Sequence, residues 1–101
     1  MIIYNVTTKV DHSIADAWLE WLKKEYIPAM IATGCFTAGT ILRLIETDDT
    51  EGRTYAVQYQ AETKNLYNQY IQEYADVMSK LSLDKWHNRV IAFRSVLEVV
   101  N

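Results

Sequence analysis

Residues 18–36 constrain the fold more than any other part of this 101-residue chain. Their first half repeats tryptophan, leucine and tyrosine at the three- and four-residue spacing of an amphipathic helix, so one helix face must be buried. Pro28 lacks an amide hydrogen and crowds the carbonyl of Lys24, which predicts a bend in this helix. Gly34 favours the left-handed conformation that ends a helix. The stretch therefore predicts a kinked helix that stops at Gly34 and leads into a strand.

The start and the outer face of this helix add two further expectations. Ser13 is the predicted N-cap, with Asp16 three residues later in a weak capping-box pattern, and Asp11 is the competing cap. Past the middle of the helix, Ile27 and Ile31 occupy the face that was polar in the first half. The second half of the helix is therefore expected to contact a second partner.

The remaining segments alternate between strand and helix patterns. Residues with strand character fill four stretches, and the acidic turn 46–53 joins the second and third as a hairpin. Thr63 is the predicted cap of a second helix, whose apolar stripe runs as far as Leu81 and is followed by a short connector over 83–88. The four predicted strands are 2–10, 36–45, 54–60 and 89–100.

The order β-α-β-β-α-β predicts an α+β, ferredoxin-like fold for residues 1–101 as a single domain. Right-handed crossovers place the strands of the antiparallel sheet in the order 4-1-3-2, with both helices on one face. The open face is expected to carry apolar side chains mixed with Asn5, Gln58, Gln60 or Arg94. Because such a face is unfavourable in water, we expect a homodimer in which two sheets face each other.

Composition limits the classes of partner and the compartment. The net charge of −3 and the lack of a Lys/Arg cluster argue against nucleic acid and anionic membranes as the main partner. The single cysteine, Cys35, cannot form an internal disulfide, which is typical of a reducing cytoplasm. The first residues alternate and stop too soon for a signal peptide, and no apolar run is long enough to span a bilayer. We therefore expect a cytoplasmic protein.

Several short motifs together resemble one uncharacterised family of short bacterial proteins, known as a domain of unknown function, over essentially the whole chain. This family is similar to the dimeric α/β-barrel proteins, a group that includes cofactor-free monooxygenases, small isomerases and ligand-binding regulators. The resemblance implies the ferredoxin-like dimer, whereas any one activity would follow from fold analogy alone. Relatives carry histidine before Ile-Pro, where this chain has Tyr26, whose phenol is a poor base at neutral pH. The motifs are Trp18-x-x-Trp21, Ile27-Pro28, 32–36, 55–59, Lys85-Trp86 and 92–94.

The resemblance implies a pocket between the helices and the sheet, where aromatic side chains from both helices would meet. The alternative for each of these residues is an ordinary role in the core, since aromatic stripes at helical spacing usually bury area. The concentration of phenols favours a pocket. The residues concerned are Trp18, Trp21, Tyr26, Tyr67, Tyr70 and Tyr74.

Polar residues supply the other candidates. Asn5, Gln58 and Arg94 interrupt apolar strand patterns, so each needs a hydrogen-bond partner, either in a network across the dimer or in a ligand. His87, in the predicted connector, could reach the end of the sheet. Neither His87 nor His12 has a neighbour at metal-ligand spacing, so we expect no metal site and no organic cofactor.

The sequence leaves three functions open. The leading hypothesis is a homodimer that binds a small apolar or aromatic molecule, with ligand contacts from Asn5, Trp18, Tyr26, Gln58, Tyr70, His87 and Arg94. The second is a cofactor-free monooxygenase or isomerase in which Tyr26, His87 or Asn5 handles a proton. The third is a structural or interaction module whose aromatic residues fill the core. The residues do not decide whether the protein is catalytic or what the ligand is.

Overall fold

The computed structural model describes residues 1–101 and contains one four-stranded antiparallel sheet. Its spatial order is β2-β3-β1-β4, which is the predicted order 4-1-3-2 when it is read from the β4 edge. The α+β, ferredoxin-like topology is therefore confirmed. The second strand is shorter at both ends than predicted, and buried Phe36 lies in the core before pairing begins. The strands are β1 (Ile2–Asp11), β2 (Ala38–Arg43), β3 (Gly52–Ala61) and β4 (Val90–Glu98).

The first helical region is less regular than predicted. A 3-10 turn over His12–Ile14 precedes α1 (Ala15–Trp21), a π-helical segment (Leu22–Tyr26) and α2 (Ile27–Ala32). The Ser13 cap was wrong: Asp11 is the cap, since its Oδ1 accepts from the Ser13 amide at 2.8 Å and from the Ser13 hydroxyl at 2.7 Å.

The π-helical segment lies one turn before Pro28 and explains how the chain accommodates this proline. The Ile27 amide donates to the Leu22 carbonyl, five residues back, so the helix is wider at this turn. Pro28 follows directly and has no amide hydrogen that could bond to the Lys24 carbonyl. The structure therefore shows a π-helical turn before Pro28, and the predicted bend at Pro28 stays a prediction. Gly34, at φ 80°, ends the region as expected, with its amide bonded to the Ile31 carbonyl at 3.0 Å.

The second helical region is interrupted in the middle. Thr63 caps α3 (Lys64–Glu73) as predicted, with its Oγ1 accepting from the Leu66 amide at 3.2 Å. The helix then breaks at Tyr74 (φ −125°, ψ −24°) and resumes as α4 (Ala75–Trp86). The predicted connector 83–88 was wrong, because buried Trp86 packs edge-to-face on Trp21 at 5.7 Å and extends α4 toward the sheet.

The break at Tyr74 shifts the phase of the apolar stripe in α4. Val77 and Leu81, which the continuous repeat places toward the core, are exposed. Met78, which the same repeat places toward the core, is buried as expected, and Ser79 and Ser82 are half-buried. Thus α4 presents two small hydroxyl side chains to the interior, where the sequence pattern predicted large apolar ones.

Both helical regions cover the same face of the sheet, as predicted. The core lies between them and the central strands β1 and β3, whereas the edge strand β4 is largely exposed on both faces. Arg94 pairs with Val6 and bonds to Ser79 of α4, so it lies on the covered face. The expectation that Arg94 belongs to the open face with Asn5 and Gln58 was therefore wrong.

The opposite face of the sheet carries Asn5 and Gln58, which are paired across β1 and β3. Their neighbours on this face include Thr7, Thr40, Gln60 and Ser95, whereas the large apolar side chains lie mainly on β4, where Phe93 is 70% exposed. The open face therefore mixes polar and apolar side chains, in agreement with the sequence pattern. Its exposed apolar residues include Leu42, Ile91, Phe93 and Leu97.

Candidate functional site

A cleft lies between the helices and the covered face of the sheet, and it opens toward the sparsely covered strand β4. The volume enclosed by the cleft is about 60 Å³. The volume is about 540 Å³ when all the empty space between the walls and at the open mouth is included. Twelve of its sixteen lining residues are hydrophobic, which is typical of small-molecule sites. The lining residues are Tyr4, Val6, Thr8, Trp18, Trp21, Leu22, Tyr26, Met30, Val57, Tyr59, Tyr70, Ser79, Ser82, Val90, Ala92 and Arg94.

Packed aromatic rings hold the inner walls of the cleft in place. The Tyr4 ring lies 6.2 Å from that of Tyr59 and 5.6 Å from that of Tyr70, and Trp18 lies 5.5 Å from Tyr55, all as centroid distances. Such tilted pairs contribute to stability beyond the area that they bury. Because Trp18, Tyr59 and Tyr70 are buried, the inner walls of the cleft are pre-formed.

Four phenols reach this space, and burial changes their chemistry. Desolvation raises the pKa of Tyr26 to about 12, with the neighbouring Tyr4 adding to the shift, while its hydroxyl donates to the Met78 carbonyl at 3.2 Å. Burial likewise raises the pKa of Tyr59 and Tyr70 well above the ordinary value. All these phenols are therefore neutral at physiological pH, and the single O–H of Tyr26 is already bonded to Met78.

Arg94 is the cationic residue of the cleft. Its Nη2 donates to the Ser79 hydroxyl at 3.3 Å, and no carboxylate lies within salt-bridge distance of it. Burial raises the pKa of Tyr4, and the Arg94 guanidinium partly opposes this rise by favouring the phenolate. Arg94 thus stands near the phenols with free donor capacity.

The structure brings four of the predicted site residues together and separates the other three. Trp18, Tyr26, Tyr70 and Arg94 all line the cleft. Asn5 and Gln58 lie on the opposite face of the sheet, and exposed His87 follows α4 at φ 54°. A single site built from all seven residues is therefore incompatible with the geometry, although a ligand role for each stays a prediction.

Asn5 is a separate feature of the open face. Its Nδ2 donates to Thr7 Oγ1 at 3.0 Å and to Ser95 Oγ at 3.3 Å, while its Oδ1 has no partner within the chain. Asn5 is 8% exposed, so an unpartnered oxygen there is costly. The oxygen is itself enclosed by the chain, so Asn5 is a buried polar group whose hydrogen bonds are only partly satisfied.

Two further features have ordinary structural roles. In the acidic turn, Asp48 Oδ1 accepts from the Thr50 amide and hydroxyl, and Arg43 pairs with Asp49 at 2.9 Å. The thiol of Cys35 is buried.

No group of three or more His, Cys, Asp and Glu side chains is placed to hold a metal ion. No helix is long and apolar enough to cross a membrane.

Sequence reasoning missed the residues that β4 and α4 contribute to the cleft. Ala92 and Val90 come from β4, where strand alternation with Arg94 could have placed them on the same face. Ser79 and Ser82 come from α4, and they precede Trp86 at helical spacing. Starting the periodicity count again after Tyr74 would have found them.

The fold is shared by solved structures that differ widely in sequence. A dimeric ferredoxin-like protein from an uncultured marine organism has a TM-score of 0.75 at 11% identity, covering 99% of this chain and 95% of that one. An EthD-family protein from Bacillus halodurans has a TM-score of 0.65 at 9% identity, covering 99% and 100%. A protein described as a putative antibiotic biosynthesis monooxygenase from Deinococcus radiodurans has a TM-score of 0.60 at 13% identity, covering 100% and 94%. At these identities the likeness shows the fold.

At the level of sequence, no curated protein matches the chain. The family model described as a domain of unknown function, DUF4286, matches residues 1–100 and confirms the resemblance that the motifs indicated. The chain therefore belongs to the DUF4286 family.

Proposed function

We propose that this protein is a single-domain homodimer that binds a small apolar or aromatic molecule in the cleft between its helices and its sheet. The observation that carries the proposal is the cleft itself, since it has pre-formed aromatic walls and a predominantly hydrophobic lining. Four of the sequence-predicted ligand residues line it, namely Trp18, Tyr26, Tyr70 and Arg94. The buried, unpaired Cys35 supports a reducing cytoplasmic location.

Self-association is supported by the open face of the sheet. Phe93 and Leu97 are exposed there, and Asn5 Oδ1 has no partner in its own chain. A ferredoxin-like neighbour is described as dimeric. A second copy would bury the apolar side chains and could extend the polar network that includes Asn5, Thr7 and Ser95, which is the kind of network that the sequence pattern predicts.

The alternative of a cofactor-free monooxygenase or isomerase has less support. Asn5 and His87 do not line the cleft, and Tyr26, which does, has a pKa raised to about 12. A phenol that holds its proton so firmly has little tendency to ionise and act as a base near neutral pH. The remaining alternative, a purely structural module, would require the cleft to be inert toward ligands.

Filling the cleft tests the proposal. Indole, benzamide and benzoate are titrated at millimolar concentration against the labelled protein, and amide chemical shifts of cleft residues are followed by NMR. At least one compound is expected to shift the cleft signals. Ala92→Leu, which places a larger side chain in the cleft, should weaken that binding at least tenfold, since the added atoms occupy the ligand's space.

The matched control is Ala32→Leu, which adds the same atoms at an exposed position at the end of α2. It should bind as the wild type does. If no compound shifts the cleft signals, or if Ala92→Leu and Ala32→Leu bind equally well, the proposed binding function is wrong and the structural module is favoured.

A further inference from the structure

The charges around the cleft are unbalanced in a way that points to the chemical class of its ligand. Arg94 contributes one positive charge, and none of the sixteen lining residues is acidic. The chain as a whole has a net charge of −3, so this local excess runs against the overall charge. A cleft with one cation and no anion is electrostatically suited to a monoanion.

The other arginines of the chain show what is distinctive about Arg94. Arg43 pairs with Asp49 at 2.9 Å, and Arg53 approaches Asp16 at 3.5 Å. Arg89 forms no salt bridge, but the groove beside it also contains acidic residues. Arg94 alone combines a missing acidic partner with a position in an aromatic, apolar cleft.

The hydrogen-bonding groups of the cleft favour an acceptor. The Arg94 guanidinium has five N–H donors and no acceptor, and one of its nitrogens bonds to Ser79 Oγ at 3.3 Å. Ser82 and the neutral phenols add hydroxyl groups. A carboxylate offers acceptors only and matches the planar fork of arginine in two parallel bonds.

We propose that the ligand of this cleft is a small monocarboxylic acid in its ionised form, whose carboxylate bonds to Arg94 at the mouth and whose apolar part points toward Trp18 and Tyr59. This inference rests on the proposed binding function and narrows it to a substrate class. The direction follows from the walls, since Arg94 lies on the exposed strand β4 while Trp18 and Tyr59 are buried. The enclosed 60 Å³ limits the apolar part to a short chain or one ring that extends into the mouth.

Isosteric pairs of probes separate the charge of the ligand from its shape. Benzoate and benzamide share a ring and differ in charge, and butyrate and butyramide repeat the comparison without the ring. Dissociation constants are measured by NMR titration at pH 7 and fixed ionic strength. Each carboxylate is expected to bind at least about tenfold more tightly than its amide, because hydrogen bonds to charged groups are the stronger ones.

Arg94→Gln should remove this preference, so that benzoate binding weakens about tenfold or more and benzamide binding changes little. Arg94→Lys should restore part of the preference, since it retains the charge without the fork. Arg89→Gln is the matched control, because it removes the same charge from the same chain outside the cleft, and it should bind as the wild type does.

The outcomes distinguish this inference from the function on which it rests. If benzamide and benzoate bind the cleft equally, or if Arg94→Gln and Arg89→Gln weaken benzoate by the same factor, the carboxylate assignment is wrong while the binding function stands. If none of the four probes, nor indole, binds the cleft, both are wrong. Amide spectra of each variant, compared with the wild type, show that the fold is retained.

Discussion

At the scale of single residues, burial decides what the phenols of the cleft can do. Tyr26 lines the cleft, and its hydroxyl donates to the Met78 carbonyl. Its pKa, raised to about 12, keeps the proton on the oxygen and in the bond to Met78, so Tyr26 is a poor base and offers a ligand its ring and the lone pairs of its oxygen. The residue is therefore better suited to binding than to proton abstraction.

Tyr26→Phe should reveal this burial through the pH dependence of stability. The ordinary phenol of the unfolded chain ionises near pH 10, whereas the folded one holds its proton to about pH 12. The contribution of the neutral phenol is complete below pH 10 and is lost as the pH rises to 12, because the unfolded state then binds fewer protons. For Tyr26 the loss amounts to roughly 2 to 3 kcal/mol in the free energy of unfolding at pH 12.

Urea unfolding of both proteins between pH 8 and pH 12 makes the comparison. At pH 8 the variant should be less stable by about 0.5 to 1.5 kcal/mol, the worth of one hydrogen bond. Toward pH 12 the difference should shrink and then reverse, since the variant has no phenol to ionise at this position. A difference that is constant over the whole range would show that Tyr26 is not desolvated.

At the scale of elements, close packing between α2 and β2 fixes how the first helical region crosses the sheet. A Cβ built on Gly39 would lie 2.9 Å from Ile27 Cγ2, which is too close for carbon atoms. The Ile27 methyl is attached to a β-branched carbon and has little freedom to move aside. Gly39 therefore allows α2 to approach the sheet at this point.

Gly39→Ala should lower the free energy of unfolding by about 1 to 3 kcal/mol through overpacking. In an Ile27→Ala background the same substitution should cost much less, because the methyl that it meets is gone. A double-mutant cycle by urea denaturation is therefore expected to give a coupling energy of about 1 kcal/mol or more. Additive effects would show that the two residues are not in contact.

At the scale of the whole molecule, the proposed assembly depends on the exposed face of the sheet. Phe93, 70% exposed, pairs with Thr7 and lies on the same face of β4 as exposed Ile91 and Leu97, close to Asn5. A charge placed there would be desolvated between two facing sheets and would lack a partner. The proposed dimer should therefore be sensitive to substitution at Phe93 and insensitive to substitution on the outer face of the helices.

Phe93→Asp is expected to convert the dimer to a monomer at micromolar concentration, as measured by size-exclusion chromatography with light scattering. Val77→Asp is the matched control, because Val77 is 61% exposed on α4 and lies away from the sheet. It should remain dimeric. A wild type that is monomeric, or a Phe93→Asp variant that stays dimeric, would contradict the proposed interface.

Local physics encoded in the sequence determined the elements and their order. Strand alternation, the cap at Thr63 and the stop at Gly34 act over a few residues and indicated the elements, and the rule of right-handed crossovers then predicted the strand order and the covered face of the sheet. The resemblance to the dimeric α/β-barrel proteins led to Tyr26 and Tyr70 as cleft residues. The local signals are readable because each depends on neighbours close in the chain.

Contacts between distant segments decided which side chains line the cleft and where α4 ends. The break at Tyr74 turned Ser79 and Ser82 inward, and the packing of Trp86 on Trp21 extended α4 through the predicted connector. Strand register alone placed Arg94 on the covered face beside the phenols and apart from Asn5. The sequence by itself therefore determined the fold, whereas the composition of the cleft depended on helix phase and strand register, which are set when distant side chains compete for the same buried space.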